Sequence, residues 1–355
     1  MSNYLFNIIN LARGQHVLRP LVAVFHLTGR CNLNCSYCED YGARRLNDEL
    51  AELGVLSLAE AGRVLTVLRQ ATPNLTLTGG EPLLYPQIDD LVVQVKTKHC
   101  FQHLTLLTNG LLLAKHIGLL PYIDRLVISL DSLDLVRWGQ TIGLDSRAAQ
   151  TIVNTIVEMA GYQAKYGFEL IANCVITPET LPGVNNVLDF CVEHNIAFAF
   201  SPQSFNNWPR YELLVADEYC TFVDKVIRYK KRGCKILGSL AYLKLARDFQ
   251  PYNCYPTLVP RVLPNGDLIY PCHPIERSQT SHGGRPCNLT RVASWQEAVK
   301  IAVNKFGQPP RSCASCFQQC YAEPSLMQAR PLSLLQEILT YKPSYRTKIH
   351  TFAPG

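Results

Sequence analysis

Cys31, Cys35 and Cys38 stand at spacing CxxxCxxC in the stretch that follows the apolar run Leu21 to Leu27. Thiols so spaced on one loop can converge on a single inorganic centre. Three is one fewer than a tetrahedral thiolate zinc site or a closed four-iron cluster requires. A four-iron cluster held by three cysteines keeps one iron open, and an open metal position is where a substrate or cosubstrate coordinates. Zinc completed by a distant Cys or His, and plain reduced thiols, are the other readings of the run. A second group, Thr78-Gly79-Gly80-Glu81-Pro82, follows the apolar stretch Leu75 to Leu77. Its glycines let a backbone approach a ligand closely, and an acidic group or carbonyl accepts hydrogen bonds from an ammonium. An ordinary tight turn is the plain alternative.

Together the two groups resemble the radical S-adenosylmethionine (SAM) superfamily, whose signature is CxxxCxxC with an aromatic before the last cysteine, here Tyr37. The resemblance implies a 4Fe–4S cluster on Cys31, Cys35 and Cys38, its open iron chelated by the amino and carboxylate groups of SAM. One electron then cleaves the sulfonium to methionine and a 5′-deoxyadenosyl radical, which abstracts hydrogen from an unactivated C–H bond. It further implies that Gly79, Gly80 and Glu81 hold the SAM amino group, that Ser129, Asp131 and Asn173 contact its ribose and carboxylate, and that a flavodoxin or ferredoxin-type donor supplies the electron. No acid or base group for the reaction is identifiable.

The elements that must position these residues alternate. Val22 to Leu27, Leu75 to Thr78, Leu104 to Thr108, Leu126 to Leu130, Glu169 to Ile176 and Ala197 to Phe200 read as strands. Helical patterns run over Ser57 to Gln70, Ile88 to Lys98, Ala114 to Leu119, Arg147 to Lys165 and Thr180 to Glu193. Alternation implies parallel pairing and right-handed crossovers, and parallel strands buried on both faces account for the unbroken Leu126-Val127-Ile128. The expected fold is α/β: a partial (β/α)6 parallel barrel with a small cysteine-rich C-terminal domain containing a β-hairpin and a helix. Ligands collect at the carboxyl ends of such strands, where Thr78 to Glu81, Thr108-Asn109-Gly110, Ser129, Asp131, Asn173, Thr177, Ser201 and Gln203 lie. Asp131 is equally readable as the cap of a following helix. The expected divisions are a helical lead-in (1–19), the barrel (20–205), a helical connector (206–250), the cysteine-rich part (251–325) and a C-terminal helix and tail (326–355).

Cysteine becomes dense again at Cys254, Cys272, Cys287, Cys313, Cys316 and Cys320. Between the first two, Leu263 to Pro271 reads as a hairpin with an Asn265-Gly266 turn, able to bring Cys272 back beside Cys254. This tail resembles the auxiliary-cluster extension of radical SAM enzymes, called SPASM with two clusters and twitch with one. The departures are one extra residue between Gly266 and Cys272, a shortened CxxC-xxx-C run, and no cysteine after Cys320. One auxiliary 4Fe–4S cluster is therefore expected, on Cys254, Cys272 and two or three of Cys313, Cys316 and Cys320, with Cys320 or Cys254 spare if one is. Zinc on Cys254, Cys272, Cys313 and Cys316 is the structural rival. Cys287 is a candidate hydrogen-atom donor or extra ligand, and Cys100, Cys174, Cys191, Cys220 and Cys234 read as ordinary core thiols.

Fourteen cysteines with no export signal argue for reducing, cytoplasmic surroundings and metal ligation over disulfides. The net charge of +6 shows no compact basic block beyond Lys230-Lys231-Arg232, which argues against nucleic acid. No apolar run is long enough for a membrane span, and the N-terminal Tyr4 to Leu11 stretch reads as a short packed helix, with weak membrane-surface contact as its other use. Too few residues precede Cys31 for a leader-peptide-recognition domain, and none resembles a cobalamin domain. A small metabolite is therefore favoured as substrate for oxidation or rearrangement, with an auxiliary cluster as electron acceptor. Maturation of a ribosomal peptide is the alternative, and a non-catalytic iron–sulfur scaffold the reading of another class. Gln203, Tyr270, His273 and Glu323 are candidates to line the substrate pocket.

Overall fold

The computed structural model describes residues 3–45, 49–205, 207–275, 285, 287–310, 313–314 and 316–331. The expected tail beyond residue 331, and most of the loop before Cys287, lie outside them. Six parallel strands form the centre: β1 (Ala23–His26), β2 (Asn74–Thr78), β3 (His103–Thr108), β4 (Arg125–Ser129), β5 (Glu169–Ile176) and β6 (Ala197–Pro202), paired in sequence order. β6 does not return to β1, so the barrel is partial and open. Leu77, Leu106, Ile128, Ala172 and Phe198 are fully enclosed between the sheet and its helices.

Local chemistry accounts for the crossover helices. Ser57 and Glu60 form a capping box at the start of Leu58–Ala71. Asp145 caps Ser146–Tyr166, which ends on a left-handed Gly167. The stretch expected as a helix at Ala114 to Leu119 is instead two 3-10 segments, Leu113–Lys115 and Ile117–Tyr122. Pro121 lacks the N–H that an α-helix would need there. The helix after Asp131, to which the sequence reading gave no span, is Leu135–Ile142 and is capped by Asp134, whose side chain accepts from Arg137 N.

The tail joins the barrel sheet directly. β9 (Arg261–Val262) pairs parallel with β1, and β10 (Leu268–Ile269) pairs antiparallel with β9. The sheet is thus eight-stranded, ordered β10-β9-β1-β2-β3-β4-β5-β6. The expected hairpin is present, with Gly266 at φ +88 in its turn, and its core is continuous with the barrel core. A short ribbon, β7 (Ser204–Phe205) with β8 (Trp208–Pro209), follows β6. The N-terminal helix Asn3–Ala12 packs on the tail helix Gln319–Ala329, where Tyr4 donates to the Met327 carbonyl at 2.8 Å. Among the described residues no helix is long and apolar enough to cross a membrane.

Candidate active site

The cysteine loop leaves the carboxyl end of β1 and is zipped to the turn leaving β2. Leu27 N donates to Thr78 O, Gly80 N to Thr28 O and Glu81 N to Arg30 O, each at 2.8 Å. This proximity is what the glycines serve. A Cβ on Gly79, at φ +151, would lie 2.5 Å from Thr28 O, and one on Gly80 would lie 2.2 Å from Arg30 O. Further along, Asn34 N and Ser36 N donate to Ile142 O and Thr141 O at 3.0 and 2.8 Å, so the end of the helix Leu135–Ile142 holds the loop from its other side. Tyr41 closes it, with its hydroxyl 2.9 Å from Nδ1 of the buried His26.

Cys31, Cys35 and Cys38 open on one cavity, together with Thr78, Gly79, Gly80, Asn109, Ser129, Asp131 and Asn173. Its empty space is about 900 Å3, open solvent at the mouth included. The thiols are free, and they repel one another as thiolates. Burial pushes Cys31 up to about 11, and Cys35 and Cys38 upward too. A positively charged centre relieves that penalty, because a metal-bound thiol is deprotonated outright. The backbone N–H of Leu33 and of Tyr41 each point at a thiol, Cys31 and Cys38, at 3.4 Å. This donor set fits an iron–sulfur cluster with one open corner.

The acidic residues divide. Asp131 is fully buried yet lines the cavity. Its carboxylate accepts from Tyr37 Oη at 2.6 Å and Val175 N at 2.8 Å. It does not cap the following helix, a role taken by Asp134. Glu81 is fully buried and does not line the cavity. Its carboxylate accepts from Leu83 N, Thr108 Oγ1 and Asn109 N at 3.0, 2.7 and 2.8 Å, tying the β2 turn to the end of β3. The backbone of Gly79 and Gly80 is therefore the part of that turn facing the cavity. Trp138, Ile142, Ile152, Val127 and Val175 supply an apolar wall that the sequence reading missed. The available signal was Trp138 and Ile142 four residues apart on one helical face.

Burial raises the Asp131 carboxyl to about 6 from its ordinary 3.8, with the hydrogen bonds opposing the rise. A carboxyl raised in the folded state binds a proton there that the unfolded chain has released. Its stability contribution is thus present below about pH 4 and lost as pH rises through about 6, roughly 3 kcal/mol in all. Urea unfolding of the apoprotein between pH 4 and 7 is expected to show this fall in the wild type relative to Asp131→Asn. A pH-independent difference between the two would refute the assignment.

A second, smaller cavity adjoins the first through Tyr37 and Val175, and is lined also by Glu39, Asp40, Ser201, Pro202, Gln203, Ser204 and Gln318. Of the residues suggested for a substrate pocket, Gln203 lies here. Tyr270 instead donates to Gly307 O at 3.0 Å. Glu323 accepts from Ser239 N at 2.9 Å, holding the start of the helix Leu240–Arg247, and the His273 ring stands 3.7 Å from Asp40.

In the tail, Cys254, Cys272, Cys313 and Cys316 are buried neighbours. Burial and the charges of the other three thiols raise Cys254, and burial above all lifts Cys272 to about 12 and Cys316 to about 11. Cys254 N donates to Cys313 O at 3.1 Å. Among the described residues no three His, Cys, Asp or Glu groups stand close enough to hold a single metal ion. Cys320 adjoins this group, its charge also raising Cys316, and Arg261 Nη2 lies 2.8 Å from its Sγ. Cys287 points instead toward Ala298 O, at 3.9 Å. Of the thiols read as core, Cys174 and Cys191 are buried, whereas Cys220 and Cys234 are half-buried and Cys100 is exposed on a left-handed turn that follows a helix.

Residues 25–191 match the family model described as the radical SAM superfamily. Among curated proteins, GTP 3′,8-cyclase 2 of Mycobacterium tuberculosis is 31% identical over 202 residues, 54% of this chain and 54% of that one. The chain spans about half the length of the curated relatives it matches. Among solved structures, Streptococcus suis SuiB bound to SAM superposes with TM-score 0.61 at 18% identity, covering 82% of this chain and 68% of that one. Native anSMEcpe with bound AdoMet superposes with TM-score 0.57 at 16% identity, covering 90% and 97%. At these identities the likeness is one of fold.

Proposed function

We propose that this chain is a radical SAM enzyme, as the match of residues 25–191 to that family's model supports, and that it abstracts hydrogen from a small polar metabolite to oxidise or rearrange it. The observation that carries the reading is the single cavity shared by Cys31, Cys35, Cys38, the Gly79-Gly80 turn and the ends of β4 and β5. A scaffold without SAM would have no use for such a cavity beside an open cluster. When bound, the 4Fe–4S cluster and SAM supply reductive formation of the 5′-deoxyadenosyl radical. The chain's own residues do the rest. Cys31, Cys35 and Cys38 hold the cluster, and the Gly79 and Gly80 backbone, Ser129, Asp131 and Asn173 meet the polar groups of SAM. Tyr37 fixes the Asp131 carboxylate, while Trp138 and Ile142 exclude water from one wall. Glu81 acts through the turn it braces.

Substrate class is read from the lining. Among the described residues neither cavity is lined by Lys or Arg, and the second carries Glu39 and Asp40. An anionic substrate such as a nucleoside triphosphate lacks charge partners there, so a neutral or cationic polyol or amine fits better. A peptide remains the alternative, to be decided by which additive stimulates SAM cleavage. We further propose one auxiliary 4Fe–4S cluster on Cys254, Cys272, Cys313 and Cys316. His273, next to Cys272, stands 3.7 Å from Asp40 of the second cavity, so such a cluster would lie beside a substrate held there and could take an electron from its radical. The division at residues 205, 250 and 325 is retained as a proposal, with the hairpin counted as part of the barrel sheet. The free thiols are consistent with a reducing compartment.

The test is anaerobic reconstitution followed by iron, sulfide and EPR measurement, then assay of 5′-deoxyadenosine from SAM and dithionite. About eight irons are expected, four per cluster, with deoxyadenosine released. Absence of deoxyadenosine from a fully loaded enzyme would rule the reading out. Cys254→Ala is expected to lose about four irons and Cys320→Ala none. Equal loss in both would place Cys320 among the ligands.

A further inference from the structure

We infer that Arg261 is the counter-cation of the tail cluster and holds its reduction potential up, an inference that rests on the auxiliary-cluster reading above. The sheet fixes where this side chain starts. Arg261 lies opposite Val24 where β9 pairs with β1, and Val24 N donates to Pro260 O at 2.9 Å. From there the guanidinium reaches into the tail. Its Nη2 donates to Cys320 Sγ at 2.8 Å, and its Cζ stands 5.3 Å from the Tyr321 ring centroid, within range of a cation–π contact. Tyr321 is itself buried, and its hydroxyl accepts from the backbone N–H of His273, the residue after Cys272, at 3.3 Å.

This arginine differs from the others in what it lacks. Arg125, Arg210 and Arg247 each meet a carboxylate, at 3.0, 3.1 and 2.7 Å, and Arg285 stands 3.7 Å from Asp267. Among the described residues no carboxylate lies within ion-pair distance of Arg261, and its bonded partner is a thiol. The residue is part-exposed, yet its Nε is out of reach of water and has no hydrogen-bond partner. A cation withdrawn from water without an anion is strongly unfavourable. The missing anion is therefore expected on the side the guanidinium faces, that of Cys272 and Cys320.

The tail thiols have the complementary need. Burial above all lifts Cys272 to about 12, the charges of Cys316 and Cys313 add to the rise, and the charge of Arg261 opposes it. Thiolates gathered on iron would supply the anion that Arg261 lacks, and Arg261 the cation that they lack. His26 does not share this task, since burial and then the charge of Arg261 push its imidazole down to about 3. Reduction of such a centre adds one electron and no proton, hence one further negative charge beside a fixed positive one. Net charge and hydrogen bonds to sulfur set the potential of a thiolate-held cluster, and a buried pair is little screened by salt. Arg261 thereby favours the reduced state, as suits a centre that takes up a single electron.

The experiment is a redox titration followed by EPR on the reconstituted full chain, for Arg261→Gln and Arg261→Lys beside the parent. It is run on the wild-type background and again with Cys35→Ala, which removes the signal of the first cluster. Iron analysis and urea unfolding accompany each titration. Arg261→Gln keeps a donor but no charge, and is expected to keep about four irons in the tail. Its equilibrium constant for reduction of the tail cluster should fall at least about tenfold, about 59 mV for one electron. Arg261→Lys keeps the charge and is expected to recover most of that shift. An unshifted potential in Arg261→Gln overturns the inference. Equal shifts in the two variants also overturn it, because lost shape and not lost charge would then be responsible. Loss of tail iron or of folding in both overturns it by assigning Arg261 to the fold alone. If wild type takes up only about four irons, the auxiliary-cluster reading fails and the inference falls with it, an outcome distinct from an unshifted titration of a loaded tail.

Discussion

Cys35→Ala protein is expected to fold, to retain iron in its tail and to release no 5′-deoxyadenosine. Folding should survive because the structural bonds of residue 35 are made by its backbone: its carbonyl accepts from Cys38 N at 3.2 Å and Ala43 N at 3.1 Å. The thiol itself is half-buried, so truncation removes little packing, on the order of 1 kcal/mol. The chemical loss is total by comparison. With two thiols left, a four-iron cluster lacks a corner it needs as well as the one it leaves open. Iron analysis, EPR and chromatographic assay of deoxyadenosine check the three statements together. Release at a wild-type rate would show that Cys35 is not a ligand, and loss of all iron would show that the two cysteine groups do not load independently.

The second large effect concerns Gly80. Gly80→Ala places a Cβ 2.2 Å from the Arg30 carbonyl oxygen, with Cys31 N at 3.1 Å. Both neighbours are backbone and cannot swing aside as a side chain would. The turn must move, breaking the bonds from Gly80 N to Thr28 O and from Glu81 N to Arg30 O. Glu81 then loses its alignment with Thr108 and Asn109, so a buried carboxylate is left short of donors. A cost of about 3 kcal/mol follows from overpacking and lost hydrogen bonds. SAM affinity should fall with it, since the displaced backbone borders the cavity. Gly118→Ala is the matched control, with nothing within 4 Å of its added Cβ, and is expected to leave both stability and SAM binding unchanged. Thermal melts and equilibrium dialysis with SAM on the reconstituted proteins decide it. A Gly80→Ala protein that melts and binds as wild type does would show that the zipped turn tolerates what its geometry forbids.

Much of the site was legible because it is encoded locally. Three cysteines within eight residues report their shared centre by spacing alone, and apolar runs alternating with amphipathic ones report parallel strands whose carboxyl ends converge. Thus Cys31, Ser129, Asp131 and Asn173 could be placed at one end of a sheet before any coordinate was known, and they line one cavity. The reasons behind the residues were less visible. The glycines of the Gly79-Gly80 turn read as making room for a ligand, whereas their missing side chains first make room for Thr28 and Arg30. Glu81 read as a ligand-facing carboxylate, and the fold gives it three protein donors.

What the amino-acid order determined by itself was the ligand types, their count on each loop and the strand–helix rhythm, because each depends on residues within a few positions of one another. Tertiary structure alone decided that β9 lies against β1, that Trp138 and Ile142 wall the cavity, that Arg261 takes Cys320 and that the ribbon's aromatics flank the cysteine loop. Those are contacts between segments far apart in the chain. Which segment meets which is settled by the global closure of one continuous core, and periodicity carries no record of it.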